Sequence, residues 1–184
     1  MAIAITREQY TEIIETMRKG SVFFKPNPRI ATVLITEANL GMRVGDILRL
    51  RLCDIVRDGK RYRLNVTEEK TGKRRVFTVP DKFYKFLEQY AKDNGIQRDE
   101  RLFPIHERAV QKQLKLVCDY LGYEGISTHS FRKWYATDIY EASGHDIVLV
   151  QTLLQHSSPM TTRRYIGLSD AKVESAIQAH LCLI

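Results

Sequence analysis

Two turn signals interrupt an otherwise helical pattern and limit the folds that this chain can adopt. Asp58-Gly59 and Thr71-Gly72 are dipeptides typical of tight hairpin turns. Between them, every second residue over 62–66 is apolar, which is the period of a strand with one buried face. We therefore predict a small three-stranded antiparallel sheet within residues 54–80.

The rest of the chain has the spacing and the end signals of amphipathic helices. Thr6 and Gln9 form a capping box that predicts a first helix through Glu15, closed by Gly20. Asn27-Pro28 supplies a cap and a first-turn proline for a second helix, which ends at Leu40-Gly41. Further helices are predicted over residues 44–50, 81–94, 107–121, 130–143, 146–154, 159–165 and 169–180. The predicted fold class is therefore α+β, mainly helical, with one small sheet.

Composition and charge narrow the class of protein. The chain of 184 residues carries a net charge of +7, which favours an acidic partner, nucleic acid first. Its cysteines, Cys53, Cys118 and Cys182, are scattered and form no Cys-x-x-Cys or Cys/His cluster. We therefore expect neither a disulfide framework nor a zinc site, and no cofactor. No apolar stretch is long enough to span a bilayer, so we expect a cytoplasmic protein without a membrane partner.

His129 and Arg132 form a His-x-x-Arg pair at the predicted entry of a helix. Residues at i and i+3 lie on one helical face, and the first turn of a helix presents free backbone N–H groups. The pair therefore suits an anion such as phosphate. Taken alone, such a pair is more often a surface histidine and arginine without a joint role.

Two further cations stand where they suit an anion site. Arg43 follows the second helix in an apolar stretch, and a partly buried arginine needs an anionic partner, for which we expect Asp46. Lys70, in the charged hairpin turn, can reach into a groove and donate a proton, and Lys73 is the alternative. An ordinary ion pair and a solvated turn explain the same residues when each stands alone.

Tyr165 ends a segment that also contains His156, Arg163 and Arg164. A phenol with a pKa of about 10 is a poor nucleophile at neutral pH. It needs a base or a cationic field that favours its ionised form, and the upstream cations supply such a field.

In this order, the residues resemble the catalytic set of the tyrosine recombinases, the phage-integrase and Xer-like family that shares its catalytic plan with type IB topoisomerases. The family's order is an arginine, a hairpin lysine, His-x-x-Arg, a histidine or tryptophan, and then the tyrosine. The residues that match are Arg43, Lys70, His129, Arg132, His156 and Tyr165. The resemblance runs from about Ile5 to the C-terminus. It departs at Asp46, where glutamate is usual and which bears on how Arg43 is held. It also departs at Gln155, where glycine is usual and which bears on the backbone beside His156.

The resemblance implies a tyrosine-recombinase catalytic domain that cleaves and rejoins DNA through a 3′-phosphotyrosine, without metal or ATP. It implies that the two arginines and His156 hold the phosphate, and that Tyr165 attacks it. Lys70 would then be the general acid, and His129 the base or a proton relay. The expected DNA contacts are Lys73, Arg74, Lys133, Arg163 and Arg164.

The resemblance also implies double-stranded recombination sites as partners, with a free monomer and a DNA-bound tetramer that exchanges C-terminal segments between protomers. We expect residues 1–184 to form one catalytic domain, without the family's N-terminal DNA-clamping domain, as in a fragment of a longer protein. The expected setting is a bacterial nucleoid, a phage or a mobile element. Without DNA, we expect Tyr165 to be displaced or loosely held. Three alternatives stay open: a relaxing type IB-like topoisomerase, a catalytically silent DNA-binding module and a metal-dependent nuclease.

Overall fold

The computed structural model describes residues 3–70, 72, 74–155 and 159–166, without the side chains of residues 75, 159, 164 and 165. The chain divides into two compact units, Met1–Tyr135 and Ala136–Ile184, with the boundary inside a helix. The helices are α1 (Arg7–Lys19), α2 (Pro28–Leu40), α3 (Val44–Ile47), α4 (Asp81–Asp93), α5 (Glu107–Leu121), α6 (Thr128–Ala142), α7 (Ile147–Leu154) and α8 (Pro159–Tyr165). The strands are β1 (Ile55–Asp58), β2 (Arg61–Thr67) and β3 (Arg74–Val79).

Helix α2 forms much of the core of the first unit. Its cap is the predicted one, because Oδ1 of Asn27 accepts the backbone N–H of Ile30 at 3.1 Å. The helix ends at Gly41, whose left-handed backbone has a φ of 56°. Most of its residues are buried, and it packs against both α1 and α5. A helix that is buried on most of its sides belongs to the core of a domain.

The predicted three-stranded antiparallel sheet is confirmed, with strand order β1-β2-β3. Ile55 pairs with Leu64, and Leu64 pairs with Phe77. Ile55 and Leu64 are buried, whereas Val56 and Val76 are exposed. One face of the sheet therefore joins the core, and β2 also packs against α4.

Several predicted helix boundaries differ from the structure, and two of the differences lie next to Arg43 and His129. The short helix predicted over residues 44–50 ends at Ile47, and a 3-10 helix follows at Leu52–Asp54. The reason is a distant backbone pairing, because the carbonyl of Leu50 accepts the N–H of Leu102 at 2.9 Å. Helix α6 begins two residues earlier than predicted, so His129 lies inside its first turn.

The second unit contains the end of α6, followed by α7 and α8. Asp146 caps α7, since its Oδ1 accepts the backbone N–H of Leu149 at 2.9 Å. Helix α8 has the predicted bounds and packs against α7, with Val150 and Leu154 buried. The last predicted helix, over residues 169–180, lies outside the described residues.

Candidate active site

Arg43 lies between α2 and α3, where a carboxylate of the β2–β3 hairpin holds it. Its Nη1 donates a hydrogen bond to Oε2 of Glu68 at 2.5 Å. The Glu68 side chain is 1% exposed, whereas the Arg43 side chain is 23% exposed. The guanidinium therefore offsets a buried negative charge, while the Arg43 side chain as a whole keeps partial access to solvent.

The prediction that Asp46 holds Arg43 was wrong. Oδ1 of Asp46 accepts the backbone N–H of Glu69 at 3.0 Å and Nη2 of Arg49 at 3.3 Å. Asp46 is itself buried, so these bonds fix the end of the hairpin onto α3. The longer side chain of Glu68 reaches Arg43 instead.

Helix α6 carries the His-x-x-Arg pair, with one member at the surface and the other in the interior. Arg132 is fully buried, and its Nη1 donates to the carbonyl oxygen of Gly41 at 2.6 Å. Because Gly41 stands two residues before Arg43, this bond joins α6 to the loop that carries the other arginine. His129, almost one turn earlier, is exposed.

The pKa of His129 shows that several charges act on its imidazole. Partial desolvation lowers this pKa most, and the positive charge of Arg132 lowers it next. Glu107 raises it, while Arg43 and Lys70 lower it further. Such effects weaken with distance and solvent screening. The lowered pKa of His129 therefore reflects desolvation first and the neighbouring cations second.

Sequence reasoning missed a buried carboxyl group on α2. Glu37 is fully buried, and neither of its carboxyl oxygens has a hydrogen-bond partner among the described residues. Burial raises its pKa well above the usual range. The charge of Arg132 opposes this rise, and Glu107 adds to it. The available signal was a single glutamate within the apolar run 30–40. Glu68 gave no such signal, because it stands beside Glu69 in a charged turn.

The remaining residues of the first unit that were predicted to donate a proton or to contact DNA lie on the hairpin and on α6. Lys70 is exposed in the turn after β2, and Lys73 lies outside the described residues. Nε of Arg74, on β3, donates to Oδ1 of Asn65 at 2.8 Å. Lys133 is half-buried on α6. The hairpin thus presents Lys70 and Arg74 on either side of its turn.

The second unit carries the predicted nucleophile. Tyr165 is the last residue of α8, after Arg164 and the exposed Arg163. The described part of the chain does not include His156 or the side chains of Arg164 and Tyr165. The expected displacement of Tyr165 therefore stays a prediction. Gln155 has a φ of 54°, in the left-handed region that glycine favours. Glutamine at this position therefore adopts a backbone conformation that glycine adopts more readily.

Among the described residues, no group of three or more His, Cys, Asp or Glu side chains is placed to hold a metal ion. None of the helices in these ranges is both long and apolar enough to cross a membrane. Cys53 and Cys118 are free thiols. Burial raises the pKa of Cys118 to about 11, so this thiol is protonated at neutral pH and weakly reactive.

The amino-acid sequence of this chain is similar to those of known proteins. The model of the phage integrase family matches residues 4–172. The probable integrase/recombinase YoeC of Bacillus subtilis (strain 168) is 31% identical over 157 residues, which are 82% of this chain and 83% of YoeC. Tyrosine recombinase XerC of Xanthomonas axonopodis pv. citri (strain 306) is 31% identical over 135 residues, which are 70% of this chain and 43% of XerC.

Solved structures share the fold. The XerH site-specific recombinase bound to its palindromic difH substrate, in a post-cleavage complex, matches with a TM-score of 0.70 at 20% identity. That match covers 95% of this chain and 52% of XerH, so the chain spans about half the length of XerH. The catalytic domain of bacteriophage HP1 integrase matches with a TM-score of 0.66 at 17% identity, over 98% of this chain and 96% of that domain. These folds confirm the predicted fold class, and together with the sequence matches they show that this chain belongs to the phage integrase family, the tyrosine recombinases.

Proposed function

We propose that this chain cleaves and rejoins DNA at specific sites through a 3′-phosphotyrosine intermediate. The main support is geometric, because Arg132 bonds to the carbonyl of Gly41, two residues before Arg43, and Arg43 bonds to Glu68, two residues before Lys70. Two guanidiniums suit a phosphodiester, because their fork geometry matches its non-bridging oxygens. Membership of the phage integrase family supports DNA as the source of that phosphate.

In the proposed reaction, the phenolic oxygen of Tyr165 attacks phosphorus and the bond to the 5′ oxygen breaks. Lys70 gives a proton to the departing 5′ oxygen, with Lys73 as the alternative acid. His129 accepts or relays the phenolic proton, and its lowered pKa favours the neutral imidazole that this role requires. Arg43 and Arg132 offset the charge that grows on the non-bridging oxygens. Removing one such preorganised donor typically costs ~10²–10³ in rate.

His156 is proposed to hydrogen-bond a non-bridging oxygen, and its support is its place in the family's residue order. The phosphotyrosine ester retains the energy of the broken bond. A second DNA 5′-hydroxyl can therefore reverse the step, so the proposed chemistry requires neither ATP nor a metal ion.

We also propose that the substrate is a double-stranded recombination site. The fold shared with XerH, which is bound to its difH substrate, supports this proposal. A net charge of +7 favours binding to the DNA backbone. The proposed backbone contacts are Lys73, Arg74, Lys133, Arg163 and Arg164. We propose a free monomer that assembles as a tetramer on paired sites, with C-terminal segments exchanged between protomers.

A nicked suicide substrate tests the cleavage chemistry, because the small fragment diffuses away and traps the covalent complex. The wild-type protein should form a covalent adduct, whereas Tyr165→Phe should bind the same DNA and form none. Adducts that persist in Tyr165→Phe would overturn the assignment. Plasmid relaxation without a second site would point to the topoisomerase alternative. DNA binding by the wild type without any adduct would point to the silent module.

A further inference from the structure

We propose that Glu68 is a positioning residue for Arg43, which it holds where a scissile phosphate would meet the guanidinium, a role that rests on the proposed DNA cleavage. Glu68 follows the end of β2 and stands 25 residues after Arg43 in the sequence. No local sequence pattern therefore links the two residues. Three features of the described residues support this role: the burial of Glu68 within the ion pair, the hydrogen-bonded backbone beside it, and the position of Lys70.

The ion pair is built so that only one partner is accessible. Glu68 is 1% exposed, and its Oε2 lies 2.5 Å from Nη1 of Arg43, which is 23% exposed. A buried carboxylate is costly unless it is paired, so Glu68 constrains the arginine strongly. Arg43 is the N-cap of α3 with an extended backbone. Its long side chain has many rotamers, and the pair selects one of them.

Two hydrogen bonds fix the peptide group that joins Glu68 to Glu69. Its carbonyl oxygen accepts the N–H of Gly72 at 2.9 Å, which closes the hairpin turn. The next residue, Glu69, donates its N–H to Oδ1 of Asp46 at 3.0 Å. Since Asp46 belongs to α3, which begins just after Arg43, hydrogen bonds connect the backbone that carries Glu68 to the helix that follows Arg43.

Lys70 follows Glu68 by two residues in the same turn. The hairpin that presents the proposed acid thus also presents the carboxylate that holds the arginine. A displacement of this turn would therefore affect both groups, and the experiment must separate an effect through Arg43 from an effect through Lys70.

The experiment compares Glu68→Gln with Glu69→Gln in single-turnover cleavage of a nicked suicide substrate at saturating protein. Glutamine keeps the shape of the side chain and removes its charge. Glu68→Gln should cleave about 10- to 100-fold more slowly, as is typical when an orienting partner is lost. Its DNA affinity should stay within about threefold, because the exposed part of Arg43 is still present. Glu69→Gln alters a neighbouring exposed carboxylate and should stay within about twofold. An unchanged rate in Glu68→Gln would overturn the role.

A substrate with a bridging 5′ sulfur separates the two routes. Sulfur leaves without a proton, so it rescues the loss of a general acid but not a misplaced arginine. If Glu68 acts through Arg43, Glu68→Gln should be slower than the wild type by the same factor on the oxygen substrate and on the sulfur substrate. Full rescue by sulfur would overturn the role. In an Arg43→Ala background, Glu68→Gln should cause no further loss, whereas multiplicative losses would contradict an action through the arginine.

Thermal unfolding of each variant shows whether it folds. If Glu68→Gln does not fold, Glu68→Asp replaces it, since aspartate keeps the charge but is one methylene shorter. Glu68→Asp should also slow cleavage on both substrates, and a wild-type rate would overturn the role. Failure of the proposed cleavage itself looks different, because the wild type would then form no adduct or Tyr165→Phe would still form one.

Discussion

Nη1 of Arg132 donates a hydrogen bond to the carbonyl oxygen of Gly41 at 2.6 Å, and so ties α6 to the loop that carries Arg43. Gly41 ends α2 in the left-handed conformation, and its own N–H bonds to the carbonyl of Glu37. A hydrogen bond to a buried charge is among the stronger polar contacts in a protein. One backbone carbonyl therefore links Arg132 to the loop that carries Arg43, the other arginine proposed to hold the phosphate.

Gly41→Ala should destabilise the fold and slow DNA cleavage. The added Cβ would overlap the ring of Tyr135, and the φ of 56° strains any residue with a side chain. Together, the overlap and the strain should lower the free energy of unfolding by about 2–4 kcal/mol. Gly59→Ala is the matched control, because its φ is 62° and its Cβ meets nothing within 4 Å. Equal losses in the two variants, measured by chemical denaturation, would contradict this explanation.

Local chemistry explains which parts of this fold could be predicted from the sequence. The capping box at Thr6, the cap at Asn27 and the Asp58-Gly59 turn each involve neighbours within a few residues. The sheet follows from them, since two turns and an alternating strand leave few other pairings. Where a backbone pairing comes from far away, as at Leu50 with Leu102, the predicted helix end was wrong.

The partner of Arg43 shows why the site could be predicted only in part. Its residues were expected from their order along the chain, but the carboxylate that holds Arg43 depends on how the hairpin docks on α3. Asp46 was the nearer candidate in sequence, yet its Oδ1 binds the backbone of Glu69. Only the tertiary structure distinguishes buried Glu68 from its exposed neighbour.

The pH dependence of adduct formation should reflect the lowered pKa of His129. Because the pKa lies below the ordinary value of 6.5, the imidazole is still neutral at pH values somewhat below 6.5. The acid limb of kcat/KM should therefore lie below pH 6.5. Glu107→Gln removes a charge that raises this pKa, and should move the limb to still lower pH. Rates measured under subsaturating conditions across about pH 5–8 check both shifts. An acid limb above pH 6.5 in the wild type would argue against His129 as the base.

Glu37→Gln should gain stability relative to the wild type as the pH rises. Burial raises the pKa of Glu37 above its unfolded value of 4.5, so the folded state binds more protons than the unfolded state above that pH. The stability linked to this proton is present below pH 4.5 and is lost as the pH rises toward the folded pKa. Glutamine does not titrate. The difference in free energy of unfolding should therefore grow by up to about 1.4 kcal/mol per pH unit. A difference that is constant with pH would contradict the burial of a titrating Glu37.

Lys70→Ala should slow cleavage of an ordinary substrate by about 10²–10⁴, the usual contribution of a general acid. A substrate with a bridging 5′ sulfur should restore the rate, because its leaving group needs no proton. Lys73→Ala is the parallel variant and should show little defect on either substrate. Rescue of Lys73→Ala, with Lys70→Ala left unrescued, would transfer the role to Lys73.

The most direct test of the account is to identify the residue that carries the DNA. The wild-type protein is trapped on a nicked suicide substrate, digested with a protease and a nuclease, and the nucleotide-bearing peptide is sequenced by mass spectrometry. We predict a 3′-phosphate ester on the oxygen of Tyr165. A nucleotide on any other residue, or no covalent DNA under conditions where the protein binds the site, would contradict the account.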